Sequence, residues 1–155
     1  MANANLTAKL SEISSTIDTA QIPLPNCTLE LTGVVNDSLS SRFRSLKLKS
    51  TSTGPELTAG EVKTWSQQVA GKVTGLLEPL KVLEVDEPQK TALLRSATPT
   101  KGNGEVSYYE MLLHSDRSCE MTRYQASTGE SKPREVQPMT LTHEVLSKLI
   151  DDVMG

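Results

Sequence analysis

Cys119 and His114 are the one thiol and imidazole that stand close enough in the chain to act on each other. A neighbouring imidazole can lower a thiol's pKa and generate a thiolate nucleophile. If Ser115-Asp116-Arg117-Ser118 closes a hairpin, His114 and Cys119 pair across it and share a face. No known cysteine-nucleophile signature surrounds Cys119. The competing reading makes Cys119 a small buried hydrophobe and His114 a polar strand-end residue. No catalytic residue is assigned on the sequence, and Cys119 and His114 are the candidates to test.

The other reactive groups are scattered. His114, His143, Cys27 and Cys119 are the soft or borderline metal ligands, and no two have a spacing that fixes a coordination geometry. No metal and no cofactor is implied. Gly102-Asn103-Gly104 leads into a strand instead of a helix and lacks a following Lys-Ser/Thr, so it reads as a turn and not as a phosphate cradle. Arg42, Arg44, Lys47 and Lys49 form a basic segment with no acid between Asp37 and Glu56, and they are the anion-binding candidates. The plainer reading is a solvated strand face, or charges that guard a sheet edge. Phe43 alone offers a base something to stack on. The net charge of −3 weighs against a nucleic-acid partner.

These residues need elements to hold them. Val106–His114 and Cys119–Tyr124 alternate as two strands around a polar turn, with Tyr109, Met111 and Leu113 on the core face. Cys119, Met121 and Arg123 fall on one face of the second strand. Cys27–Val35 reads as a half-buried strand, followed by a turn at Asn36-Asp37-Ser38. Arg42–Lys49 reads as its return, with Phe43 out of phase with Leu46 and Leu48. A bulge would repair that phase, and a short helix begun at Asp37 is the alternative. Leu80–Val85 and Thr91–Ala97 complete the strands.

Three amphipathic stripes predict helices. Leu6, Leu10, Ile13 and Ile17 mark the first, capped by Asn5 or Thr7 and stopped before Ile22-Pro23-Leu24-Pro25. Thr58-Ala59-Gly60-Glu61 is a capping box that opens the second. Its stripe runs Val62, Trp65, Val69, Val73, Leu76 and Leu77 to a stop at Pro79, with Trp65 as a core anchor. Leu141, Val145, Leu149 and Val153 mark the third, begun at Thr140. Ser50–Glu56 reads as a linker and Gln125–Pro138 as a mobile loop.

The predicted fold is therefore α+β: a four-stranded antiparallel meander, extended by an amino-terminal hairpin, with flanking amphipathic helices. Residues 1–49 form a helix and hairpin unit, and 57–155 an α-β-β-β-β-α domain. Aromatics are only 3% of the chain, so Leu, Val and Ile must build the core. No apolar run reaches the roughly 20 residues that span a bilayer, and the first residues lack the pattern of a secretory signal. Two cysteines are too few for a disulfide scaffold, which favours a reduced, cytoplasmic setting. In architecture alone, the pattern resembles secretion-chaperone-like folds. The leading expectation is a non-enzymatic, chaperone-like interaction module that binds another protein or itself, without membrane insertion. A thiol-dependent enzyme using Cys119 and His114, and an anion or nucleic-acid binder using residues 42–49, are the alternatives.

Overall fold

The computed structural model describes residues 3–13, 15–129 and 132–155. In chain order it contains α1 (Asn3–Glu12), β1 (Thr16–Pro23), β2 (Cys27–Asn36), β3 (Ser40–Phe43), β4 (Ser45–Ser50) and α2 (Ala59–Lys72). Then follow β5 (Leu80–Asp86), β6 (Thr91–Ser96), β7 (Thr100–Gly102), β8 (Glu105–His114) and β9 (Ser118–Ser127). The described chain finishes with β10 (Glu135–Val136), β11 (Met139–Thr142) and α3 (His143–Met154). The strands make one antiparallel sheet of 11, ordered β11-β3-β2-β4-β9-β8-β6-β5, with β1 on β2, β10 on β9 and β7 on β8.

This corrects the four-stranded meander. Thr16–Pro23, read as the tail of the first helix, is a strand paired with β2 along its length except at Asp18. Its β-branched Thr16, Ile17, Thr19 and Ile22 suit a pleated surface, and ladder hydrogen bonds outweigh the helical spacing of Ile17. Helix α1 already runs from Asn3, so neither Asn5 nor Thr7 caps it. Met139–Thr142 is likewise a strand, on β3, which removes Leu141 from the last helix and makes Thr142 the cap. Gln125–Ser127 prolong β9, and Glu135–Val136 return to it, so much of the expected loop is sheet. Glu130 and Ser131 lie outside the described residues.

Helix α2 begins on the expected capping box, with the Glu61 amide on Thr58 Oγ1 at 3.1 Å and the Thr58 amide on Glu61 Oε1 at 3.0 Å. It ends at Val73, well before Pro79, which leaves Leu77 77% exposed. One sheet face is apolar and buried: Leu29, Leu31, Leu46, Leu48, Met111 and Leu113 all lie under the helices' Leu6, Leu10, Val62, Val69, Leu146 and Ile150 in one core. The alternate residues, among them Lys47, Lys49 and Glu120, face outward. The apolar stripes of all three helices are thus used inside the fold. Sheet pairing is continuous across Ser50–Glu56, because β4 lies between β2 and β9.

The phase slip at Phe43 has a physical cause on two strands at once. Leu31 and Val34 are both buried on β2, and Phe43 and Leu46 both on β3 and β4, a spacing of three in each case. At that level Gly33 has φ +60° and the Arg44 amide donates to Thr32 O at 2.8 Å. A Cβ on Gly33 would sit 2.8 Å from Arg44 Cδ. Replacing Gly33 with Ala should therefore cost about 1–2 kcal/mol in left-handed strain alone. Gly102→Ala, with open space around its Cβ and no such φ, should stay within about 0.5 kcal/mol of the parent in urea unfolding.

Candidate functional site

The thiol and imidazole do not meet. Strands β8 and β9 are joined through Ser115–Arg117, with the Arg117 amide on His114 O at 3.0 Å and Arg117 at φ +67°. This three-residue connection ends in a left-handed residue, a position where Gly normally advertises the turn. The shorter loop moves the register by one, so Leu113 stands opposite Cys119. Cys119 has 0% exposure, and burial, with Glu120 adding to it, pushes its thiol far above the ordinary value. His114 Nε2 lies 2.9 Å from Glu120 Oε2 on the outer face. Cys27 is also a buried free thiol whose pKa burial raises.

His143, the other imidazole, opens α3 and is buried. Its Nε2 is 3.2 Å from Ser41 Oγ, which donates to Asn36 Oδ1 at 2.5 Å. Because that hydroxyl proton goes to Asn36, the Ser41 oxygen is left to accept from Nε2. Nδ1 has no partner among the described residues. Ser41 has 0% exposure, so this pair is a polar rivet and not a presented nucleophile. Among the described residues no three His, Cys, Asp or Glu side chains gather as a metal-binding set.

The basic segment does not converge on one seat. Lys47 lies in register between Glu30 and Glu120, and Lys49 between Thr28 and Ser118. Arg42 is on β3 between Val35 and Thr140, while the Arg44 stem covers Gly33. A denser set of charges sits farther along the outer face. Arg95 is 5.1 Å from the Tyr108 ring centre, and Arg134 is 3.7 Å from that of Tyr124. Glu110 pairs with both arginines, which closes that cluster on itself.

The charged group that matters most for the interior shares the face of β9 that carries Cys119 and Met121, which the structure shows to be the core face. Arg123, 4% exposed, donates from Nη1 and Nη2 to Glu78 Oε1 and Oε2 at 2.9 and 3.0 Å. Glu78 also accepts from Ser96 Oγ at 2.8 Å and Thr100 Oγ1 at 2.7 Å. The guanidinium stacks 4.3 Å from the Tyr109 ring centre. Above Arg123 and Tyr109 lies a cleft of about 500 Å³, bounded by Leu77, Gln137, Met139 and Val145.

A second, more open groove of about 580 Å³ runs beside α2. Its apolar lining is Leu57, Trp65, Val153 and Met154, with Glu61 and Arg117 among its polar residues. Trp65 is the core anchor the stripe suggested, in that it packs partly on the core and donates Nε1 to Val153 O at 2.8 Å. It also lines the groove. Arg117 donates to the carbonyls of Gly54 and Pro55, and Leu57 N to Ser115 O, so Ser50–Glu56 is stitched to the β8–β9 turn. The sequence reading missed Arg117 because its part depends on contacts 62 residues away in the chain.

Comparisons with protein-family models, curated proteins and solved structures return no match for this chain. Among the described residues no helix is long and apolar enough to cross a membrane.

Two outcomes follow from the buried chemistry. The native protein should leave Cys119 unlabelled by iodoacetamide at neutral pH until it unfolds, whereas rapid native labelling traced to Cys119 by mass spectrometry would show an activated thiolate. Burial would by itself raise the Glu78 pKa, but the hydrogen bonds from Arg123, Thr100 and Ser96 outweigh it and hold the carboxyl below its ordinary 4.5. The ionised form thus stabilises the fold at higher pH, and that contribution is lost as pH falls through the depressed native value. Glu78→Gln should flatten the acid limb of unfolding free energy against pH, and a profile parallel to the parent would contradict this.

Proposed function

We propose that the protein is a non-enzymatic interaction module that receives a short segment of another protein in the Trp65–Arg117 groove. The observation that carries this reading is the make-up of the groove: an apolar lining of Leu57, Trp65, Val153 and Met154 beside a cationic guanidinium. Among the described residues, the Arg117 side chain hydrogen-bonds only to the backbone carbonyls of Gly54 and Pro55. Glu61 feels its charge, yet that carboxylate is held by the Thr58 amide. The occupant that fits is a segment with one large apolar side chain next to an acidic residue. Aromatic and arginine anchors in partly desolvated pockets are the usual seats of binding energy at protein interfaces.

Most of the helical stripes lie in the core, and the groove is where Trp65 of α2 and Val153 and Met154 of α3 meet its edge. A cytoplasmic setting belongs to the same proposal and is supported by two cysteines kept as free thiols.

Trp65 is the one tryptophan in the chain, which makes its emission a local reporter. Peptides selected from a displayed random library against the parent protein should place an apolar residue beside Asp or Glu, and should change Trp65 emission on titration. Arg117→Glu should weaken them at least about tenfold, or about 1.4 kcal/mol. Selected peptides that bind Arg117→Glu equally well and leave Trp65 emission unchanged would overturn the assignment.

A further inference from the structure

We propose that the cleft over the Arg123–Glu78 pair is a second, independent site, and that it takes a small neutral amphipathic molecule with an amide or hydroxyl head and a hydrocarbon body. The volume of about 500 Å³ falls within the roughly 300–1,000 Å³ of small-molecule sites. Its lining divides into two chemistries. Leu77, Pro138, Met139, Leu141 and Val145 are apolar, while Tyr109, Arg123 and Gln137 are polar, and Ser107 is one of several hydroxyl residues that also line the cleft.

The polar end specifies the head. Gln137 Oε1 is buried and has no hydrogen-bond partner among the described residues. A buried acceptor without a donor is unfavourable until a donor arrives. Tyr109 is 2% exposed, and its hydroxyl accepts from the Arg123 guanidinium and, at 3.5 Å, from the Leu77 amide. Its own proton has no acceptor among the described residues. One missing donor and one unused donor ask for a group that gives and takes a hydrogen bond, as an amide or alcohol does.

The charge balance excludes an ionic head. Among the described residues Arg123 is the only cation lining the cleft, and Glu78 neutralises it through two parallel hydrogen bonds. Glu78 in turn is filled by Arg123, Ser96 and Thr100. A carboxylate would have to displace Glu78, and an ammonium would face Arg123 with no acceptor charge to spare.

The body of the ligand accounts for Leu77. It is 77% exposed, the most exposed large apolar side chain of the described residues, and it stands beside the cleft. A hydrocarbon chain laid between Leu77 and Met139 would cover it.

Calorimetric titration with octanamide and 1-octanol, set against octanoate and octylammonium, tests the proposal. The neutral pair should bind saturably, at least about tenfold tighter than either ion, with Trp65 emission unchanged. That last readout separates this site from the peptide groove, so either assignment can fail alone. Gln137→Leu should weaken octanamide, Ser107→Phe should block the cleft, and Leu77→Asp, at an exposed position that folding does not need, should weaken both neutral ligands. No saturable binding of the neutral pair, equal binding of octanoate, or binding indifferent to Gln137→Leu and Leu77→Asp in folded variants would each overturn it.

Discussion

The Arg123–Glu78 pair is the constraint on which the rest of the interior depends. Burying either charge alone is strongly unfavourable, so each position is fixed by the need to meet the other with its remaining hydrogen-bond capacity filled. Arg123 lies on β9, at the middle of the sheet, and Glu78 lies in the connection from α2 to β5. Ser96 on β6 and Thr100 on β7 complete the carboxylate's set, and Ser96 Oγ also accepts from the Tyr109 amide on β8 at 2.8 Å. One ion pair therefore ties the α2–β5 connection to four strands. Helix α2 stops at Lys72, and the connection that follows turns Glu78 inward before Pro79 starts the run into β5.

The two proposed binding surfaces lie where the chain turns, one beside this centre and one apart from it. The early end of α2 leaves Leu77 outside and opens the cleft above Tyr109. The β8–β9 turn, with Arg117 in the left-handed region, carries a guanidinium back to Gly54 and Pro55 and so frames the groove beside Trp65. The first surface has a neutralised polar floor, and the second keeps a cation whose described partners are carbonyls. That difference in electrostatics is why different ligands are proposed for them.

The sequence was most legible where local chemistry and tertiary packing agree. Thr58 and Glu61 announced α2, and the rows Tyr109-Met111-Leu113 and Cys27-Leu29-Leu31 announced the core faces of β8 and β2. It was least legible where pairing across the sheet overrode a local pattern. Ile17 continues the helical spacing of Leu6 and Leu10, yet its segment is held by β2. The β7–β8 hairpin did carry a signal, Asn103-Gly104, whose φ values of +51° and +73° suit a tight two-residue turn. Those residues are the turn they were read as, and what went unread is the short strand β7 that precedes it. Arg123 was visible on the Cys119–Met121 face, and a charge on a core face demands a buried partner. Nothing local identifies Glu78 as that partner, 45 residues away. The Cys119–His114 pairing failed by one residue of loop length, enough to change what stands opposite the thiol.

A double-mutant cycle on Glu78→Leu and Arg123→Leu, read by urea unfolding, tests the central claim most directly. If the pair organises the interior, each single change strands a buried charge and costs roughly 3–5 kcal/mol. The double change should then cost well below the sum, with a coupling of at least about 1 kcal/mol. Additivity within about 0.5 kcal/mol would mean that the two side chains stabilise the fold separately, and would contradict the account.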